Sequence, residues 1–271
     1  MTERSQIMLS QSSIQDYADC PRRFKLHYLD HLTYPALESE PGLENEKKQQ
    51  EGQLFHRLVQ QMLLGMDGEK LGRMAATPNL SRWWLNFLEH SPITHDSALF
   101  PEYSLSAHAG SVRITAKYDL IAIRGENLLI YDWKTYTHQP RRDWLESRWQ
   151  TRVYPALLVR SGGFLVGRET VPPQNIKMQY WFPEFPDRPE VFEYSPAKFQ
   201  RDWDAIEAIS AEILTIRDFL KTDDVSKCSY CTYRSYCERG QAAAAESDRD
   251  AEWGLQAEND LDFEQIGEIA F

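Results

Sequence analysis

Cysteine is scarce in this chain, and features that would place it in a membrane or outside the cell are absent. Four cysteines occur in 271 residues, with no signal-peptide pattern and no apolar run long enough to span a bilayer. That combination predicts a cytoplasmic location, no membrane partner and no disulfide scaffold. No internal repeat and no glycine-rich phosphate loop is visible, so an ATPase motor is not encoded. A surplus of positive charge is missing as well: the formal net charge is −11. That deficit is local, because residues 241–271 hold nine acids and one arginine and carry −8 of it, leaving −3 on residues 1–240.

The remaining composition describes a body able to bury a full core. Hydrophobic residues make up 42% of the chain and eight are tryptophan, which suits one elaborated domain, residues 1–240, followed by the acidic segment 241–271. A first helix is expected from a Ser12 or Ser13 cap to about Leu29, then a polar loop from Pro35 to Gln50. A second helix from Glu51 carries Leu54, Leu58, Met62 and Leu63 as one stripe, with His56 beside it. A short tryptophan-rich helix over 81–90 and a strand over 99–107 follow. Ser111–Ile123 and Asn127–Tyr136, rich in Val, Ile, Leu, Thr and Tyr and separated by Arg124-Gly125-Glu126, read as a hairpin. Beyond it come a helix from Asp143 to Arg160, strands over Ile176–Phe182 and Val191–Tyr194, and a helix from Pro196 to Lys221 opened by Ser195. The order predicts an α/β fold with a mixed central sheet flanked by helices. The segment 241–271 is expected to be disordered; its alternating stretch from Leu261 to Phe271 has the alternative of docking on a partner or competing with DNA for a basic groove.

The hairpin carries the chemistry. Asp119 lies on its first strand, while Asp132 and Lys134, two apart on the second, project from one face of the pleat. Two carboxylates hold hard cations through oxygen, the cation acidifies a bound water, and an ammonium orients water or a phosphate. Trp133 points the other way and offers only its backbone carbonyl. Alone, an Asp-x-Lys triplet is more often a solvated strand. His56 upstream is, alone, more often structural than a ligand. Downstream, Gln150 and Tyr154 sit one helical turn apart, so their polar ends can converge, although such pairs usually face solvent. Glu102 on the preceding strand has the reach to approach a metal, but reads first as an exposed strand glutamate.

The cysteines are arranged as one plus three: Cys20, then Cys228-x2-Cys231-x5-Cys237. Four thiolates in a reducing compartment suit a structural zinc or a 4Fe-4S cluster, and the lone-plus-triplet spacing leans toward iron. Either would act as a staple, closing Cys20 onto Cys228, and loss of one cysteine should loosen the fold before it touches catalysis. Cations gather in two groups, Arg22, Arg23 and Lys25, and Arg141, Arg142, Arg148 and Arg152. Such groups follow a phosphate backbone, and Trp144 and Trp149 nearby can stack on unpaired bases; a solvated helix face over core tryptophans is the plainer alternative.

Taken in order, Leu9-Ser10 through Tyr17, Cys20-Pro21-Arg22-Arg23-Phe24, Gly52-x-x-Phe55-His56, Tyr118-Asp119, Asp132-Trp133-Lys134-Thr135, Gln150-x3-Tyr154 and the cysteine triplet resemble the RecB-like branch of the PD-(D/E)xK nucleases. The resemblance covers most of residues 8–240 and is strongest to the iron-sulfur members, the CRISPR-associated RecB-type exonucleases and AddB-type nuclease domains. It implies a restriction-endonuclease-like core with a cluster-stapled helical region at its N- and C-terminal ends. It further implies His56, Asp119, Asp132 and the Trp133 carbonyl as ligands of Mg2+ or Mn2+, Lys134 as the catalytic lysine, and Gln150 with Tyr154 as supports of the active site and DNA. Cys20, Cys228, Cys231 and Cys237 would hold a 4Fe-4S cluster, and Arg22, Arg23, Arg148 and Arg152 would contact DNA. Ala116 departs from the pattern, standing where many relatives place glycine three residues before the first aspartate. The implied activity is a metal-dependent deoxyribonuclease acting on single-stranded or frayed ends in CRISPR adaptation, repair, recombination or defence, with integrase or helicase subunits as partners. The alternatives are a catalytically silent cluster-bearing DNA-binding subunit and a zinc-stapled scaffold.

Overall fold

Proline sets the first boundary. The residue before a proline is pushed out of the helical region, and Cys20 is extended at φ −160° and ψ 105°. Helix α1 (Gln11–Asp19) stops there, and α2 (Pro21–Phe24) restarts with proline in its first turn before passing into a π-helical turn, Lys25–Leu29. The single helix expected over this region is thus three pieces. Ser10 caps α1 rather than Ser12 or Ser13: its hydroxyl accepts from the Ser13 amide at 3.2 Å, and Ser13 Oγ accepts from the Ser10 amide at 2.9 Å, the reciprocal arrangement of a capping box. A two-residue strand, β1 (Met8–Leu9), precedes it.

The computed structural model describes residues 7–32, 42–94, 97–228 and 231–239. The segment 241–271 lies outside the described residues, as does the part of the expected loop before Gly42. The rest of that loop is helical: α3 runs Gly42–Leu63, because Glu, Lys and Gln are strong helix formers even without an apolar stripe. Next come α4 (Gly68–Gly72), which the sequence did not announce, and α5 (Pro78–His90). Thr77 caps α5, its Oγ1 accepting from the Leu80 amide at 3.3 Å.

Two compact units divide the chain, one of Met1–Ile14 and Gln50–Asp218, the other of Gln15–Gln49 and Phe219–Phe271. Among the described residues the first unit contains a six-stranded mixed sheet. β2 (Ala98–Ala109), β3 (Val112–Arg124) and β4 (Asn127–Trp133) form an antiparallel meander; β4 pairs parallel with β5 (Ile176–Trp181), and β5 antiparallel with β6 (Glu190–Glu193). β1 adds to β3 in parallel. The β3–β4 turn closes on the Arg124–Asn127 pair, with Gly125 at φ 62°, the positive φ that a two-residue hairpin requires.

Helices α6 (Arg142–Ser147), α7 (Trp149–Ser161) and α8 (Pro196–Thr215) complete the order. One helix was expected where α6 and α7 stand. Arg148 is extended at ψ 142°, and the Leu145 carbonyl accepts from both the Arg148 amide and Thr151 Oγ1, which closes the end of α6 without glycine or proline. α8 begins as expected, Ser195 Oγ accepting from the Lys198 amide at 3.2 Å, but ends at Thr215 instead of Lys221. There Thr215 Oγ1 donates back to the Ala211 and Glu212 carbonyls, a competing bond that weakens helix continuation.

The sheet is covered on both faces, as alternate residues show. On β4, Tyr131 and Trp133 join Phe55, Leu58 and Val59 of α3 and Trp83, Trp84 and Phe87 of α5 in one core. Asp132 between them faces the other way, to Gln150 of α7. On β5, Trp181 belongs to the first layer, while the Tyr180 hydroxyl meets Thr151 of α7 at 2.7 Å. Among the described residues no helix is long and apolar enough to cross a membrane.

Candidate active site

β3 and β4 pair from Leu120–Tyr131 onward toward the turn and part on the other side of that pair. Asp119 and Asp132 are the next residue on each strand, so both carboxylates stand at the fork. The opening is bridged by one bond: the Trp133 amide donates to Asp119 Oδ2 at 2.8 Å. Trp133 itself is buried in the aromatic core, which fixes the peptide that holds Asp119. β4 ends at Trp133, short of the expected Tyr136, yet the Lys134 amide still donates to the Trp181 carbonyl at 3.0 Å. Lys134 is thereby held in strand-like register, and its Nζ lies 2.9 Å from Asp132 Oδ2. Gln150 donates to the other oxygen of Asp132 at 2.6 Å. Tyr154, one turn along α7, donates its hydroxyl to the Lys117 carbonyl at 2.8 Å and accepts from the Tyr118 hydroxyl, through its own carbonyl, at 2.9 Å. α7 is therefore tied to Asp132 by one side chain and to β3 by the other.

His56 reaches the fork from α3, its Nδ1 3.3 Å from Asp119 Oδ1. A third acid completes a tight group: one ligand atom each of His56, Glu102 and Asp119 lie within 4.8 Å of one another. Glu102 is not the exposed strand glutamate expected. It is paired with Lys117, and its side chain is only 16% accessible. The reason is register: Pro101 pairs with Leu120 and Tyr103 with Tyr118, which sets Glu102 across from Asp119. Glu102 itself has φ 52°, left-handed geometry that is uncommon outside glycine, and no local sequence signal marks it.

Two buried polar atoms, His56 Nδ1 and Asp132 Oδ2, lack a hydrogen bond, although each lies beside an opposite charge. Buried polar atoms are rarely left so. One imidazole nitrogen and oxygens from Glu102, Asp119 and Asp132 form a donor set suited to Mg2+ or Mn2+, so the residues fit a divalent cation.

The charges are strongly perturbed. Burial pushes the Asp132 carboxyl up to about 6; Lys134 works against the rise and Asp119 adds to it. Burial also opposes ionisation of Asp119, but His56 and Lys134 outweigh it and hold that carboxyl below its ordinary range. Burial alone would lower His56, and Asp119 reverses this to raise it. Burial likewise acts to lower Lys134, yet Asp132 keeps the ammonium well above the usual lysine range. A cation entering the site must displace protons from Asp132 and His56. Divalent affinity of metal-stripped protein should therefore rise with pH, first through about pH 6 as Asp132 ionises and further as His56 deprotonates. Calorimetric Mn2+ titrations between about pH 5 and about pH 8 check this; an affinity independent of pH would contradict it.

The four cysteines all fall in the second unit and are free thiols. Together with Arg23, Lys227 and Arg239 they line one small pocket. Cys20 Sγ accepts from the Thr222 amide at 3.4 Å and Cys228 Sγ from Arg239 at 3.0 Å, while burial pushes the Cys231 thiol up to about 11. Among the described residues no three cysteine sulfurs gather within 4.8 Å of one another. Of the arginines expected to meet DNA, Arg22 donates to the Tyr236 carbonyl, and Arg23 pairs with Asp16 and Asp19 at 2.6 and 3.1 Å. Arg152 pairs with the buried Asp202 at 3.0 Å and lies over the Trp149 ring, and Arg148 lies 5.1 Å from the Trp144 ring centre. These side chains already have structural work inside the protein.

The chain belongs to the PD-(D/E)XK nuclease superfamily, whose family model matches residues 8–238. Among solved structures, a protein from Eubacterium rectale named as a candidate exonuclease aligns with 89% of this chain and 90% of its own at 10% identity and a TM-score of 0.51. The fold is shared. A second, SSO0001, covers 89% of this chain and 90% of its own at 13% identity and a TM-score of 0.43. No curated protein matches the sequence.

Proposed function

We propose that the protein is a metal-dependent deoxyribonuclease that trims single-stranded or frayed DNA ends. The observation that carries this reading is the fork of β3 and β4, where His56, Glu102 and Asp119 converge opposite the buried Asp132–Lys134 pair, with two polar atoms unsatisfied. Bound there, Mg2+ or Mn2+ would supply Lewis acidity, stabilising charge that develops on the phosphate and making an attacking water easier to deprotonate. His56, Asp119, Asp132 and Glu102 hold the ion, with the Trp133 carbonyl as a further oxygen donor. Gln150 fixes the orientation of Asp132, and Tyr154 keeps α7 in place against β3. Lys134 remains an ammonium in this setting, so it acts as a fixed positive charge, orienting water or the scissile phosphate, and not as a base. The products would carry 5′-phosphate and 3′-hydroxyl ends, as the resemblance implies. Glu102→Gln should weaken Mn2+ binding roughly 10- to 100-fold without altering the melting temperature of the metal-free protein by more than a few degrees. An unchanged affinity would remove Glu102 from the ligand set.

The cysteine pocket is read as a 4Fe-4S site. All four cysteines line one pocket with Arg23, Lys227 and Arg239, whose cationic side chains would offset the negative charge of a thiolate-bound cluster. The CRISPR, repair and defence roles, with integrase or helicase subunits as partners, share this chemistry, and neighbouring genes separate them. The decisive experiment is anaerobic purification with an absorption spectrum and iron assay, followed by incubation with end-labelled single-stranded and duplex DNA in Mn2+ or EDTA. A brown, iron-containing protein that degrades single strands only with Mn2+ is expected. Iron-free protein overturns the cluster, and absence of metal-dependent cleavage overturns the nuclease.

A further inference from the structure

Glu102 has a second effect on β2. Phe100 and Tyr103 are three residues apart, an odd spacing that sends side chains of a regular strand to opposite faces. The left-handed backbone at Glu102 reverses the alternation, and the two rings meet edge to face with centroids 5.6 Å apart. Tyr103 lies in turn 6.4 Å from Phe164, which follows α7 and is 60% exposed. The run of ring contacts therefore begins beside Glu102, a member of the metal-ligand group.

Phe164 stands on a tightly built turn. The Arg168 amide donates to the Gly163 carbonyl at 2.9 Å, and a Cβ on Gly163 would come within 2.4 Å of the Glu169 carbonyl oxygen. Only glycine fits that close approach. A large apolar ring held out to solvent on a tight turn, against Tyr103 and through it in line with Phe100, has the form of a stacking platform. Aromatic faces take unpaired bases of any sequence, whereas duplex bases already stack on each other and present no free face.

We propose that Phe100, Tyr103 and Phe164 form a platform for the bases of an unpaired DNA strand, leading its phosphates to the fork at Glu102 and Asp119. This rests on the nuclease reading and adds to it the basis of strand selectivity. Phe164 sits at the outer end of the row and is mostly exposed, so its substitution tests recognition with little cost to the fold.

Binding of a fluorescent oligo-dT and of a blunt hairpin duplex, measured in Ca2+ to hold off cleavage, compares wild type with Phe164→Ala, Phe164→Leu and Phe164→Trp. Stacking of one base predicts a loss of roughly 5- to 150-fold in single-strand affinity for the alanine and leucine variants. The tryptophan variant should keep wild-type affinity, and duplex affinity should not move. A 2-aminopurine in the oligonucleotide should be quenched by wild type and by Phe164→Trp but much less by Phe164→Ala. Unchanged single-strand affinity in Phe164→Ala, full retention by leucine, or an equal loss on duplex overturns the platform while leaving the nuclease standing. Wild type that neither binds nor cleaves DNA overturns both.

Discussion

Lys134→Ala should lose about 10³-fold in cleavage rate, about 4 kcal/mol of barrier. Lys134 is the one cation directly paired with Asp132, at 2.9 Å, and its side chain is only 8% accessible. Water cannot replace a buried ammonium in kind, so the electrostatic contribution is lost outright. Arginine should not restore it, because a planar guanidinium is larger and places its charge elsewhere. The same substitution has a consequence away from catalysis: it leaves the Asp132 carboxylate buried, still held by Gln150 but without its cation. Breaking a buried ion pair costs about 3–5 kcal/mol when the abandoned charge stays, although protonation of Asp132 relieves part of this. A divalent cation would neutralise that charge directly. The melting temperature of Lys134→Ala should accordingly fall in EDTA and recover in Mn2+, a gap wider than that of wild type. Cleavage within tenfold of wild type would remove Lys134 from the chemistry, and equal melting with and without metal would separate Asp132 from the ion.

Phe87→Ala should destabilise the protein by about 3–5 kcal/mol, seen as a large drop in the urea midpoint. Phe87 is 2% exposed and meets Phe55, Trp84, Trp133 and Trp181 with ring centroids 5.5–6.1 Å away. Such a hole cannot collapse easily, because its walls are rigid rings. The functional readout follows from Trp133, whose amide holds Asp119. If the indole shifts into the vacated space, that amide moves with it, and Mn2+ affinity should fall along with stability. Phe87→Leu, which fills most of the volume, should recover most of both. A loss below about 1 kcal/mol would mean that this layer is looser than its ring contacts indicate.

Much of the site was legible because it obeys periodicity. Asp132 and Lys134 are two apart on a strand, Gln150 and Tyr154 four apart on a helix, and the hairpin between them is marked by Gly125. Those rules place side chains without knowledge of the rest of the fold, while the roles of these residues came only from the resemblance to the PD-(D/E)xK nucleases. Glu102 escaped because its nearness to Asp119 depends on the register of β2 against β3, which the pattern of a single strand does not encode. The α6–α7 break escaped as well: the Arg148 amide and a threonine side chain close the end of α6 on the Leu145 carbonyl, so neither proline nor glycine marks the place. The helical start of α3 was hidden by its polarity, since a segment without an apolar stripe reads as loop even when its residues favour helix. The split of the first helix, by contrast, was written in Cys20-Pro21 and was passed over.

The second unit joins segments from both ends of the described chain, and this sets an order in time. Cys20 emerges early in synthesis, while Cys237 follows more than two hundred residues later, a delay of roughly 10–40 s at ~5–20 residues per second. During that interval the first thiol has no complete set of companions, while the strands and helices that shape the fork are made. Assembly of the nuclease core can thus precede closure of the cysteine pocket, and whatever fills that pocket must be delivered after the fork elements exist.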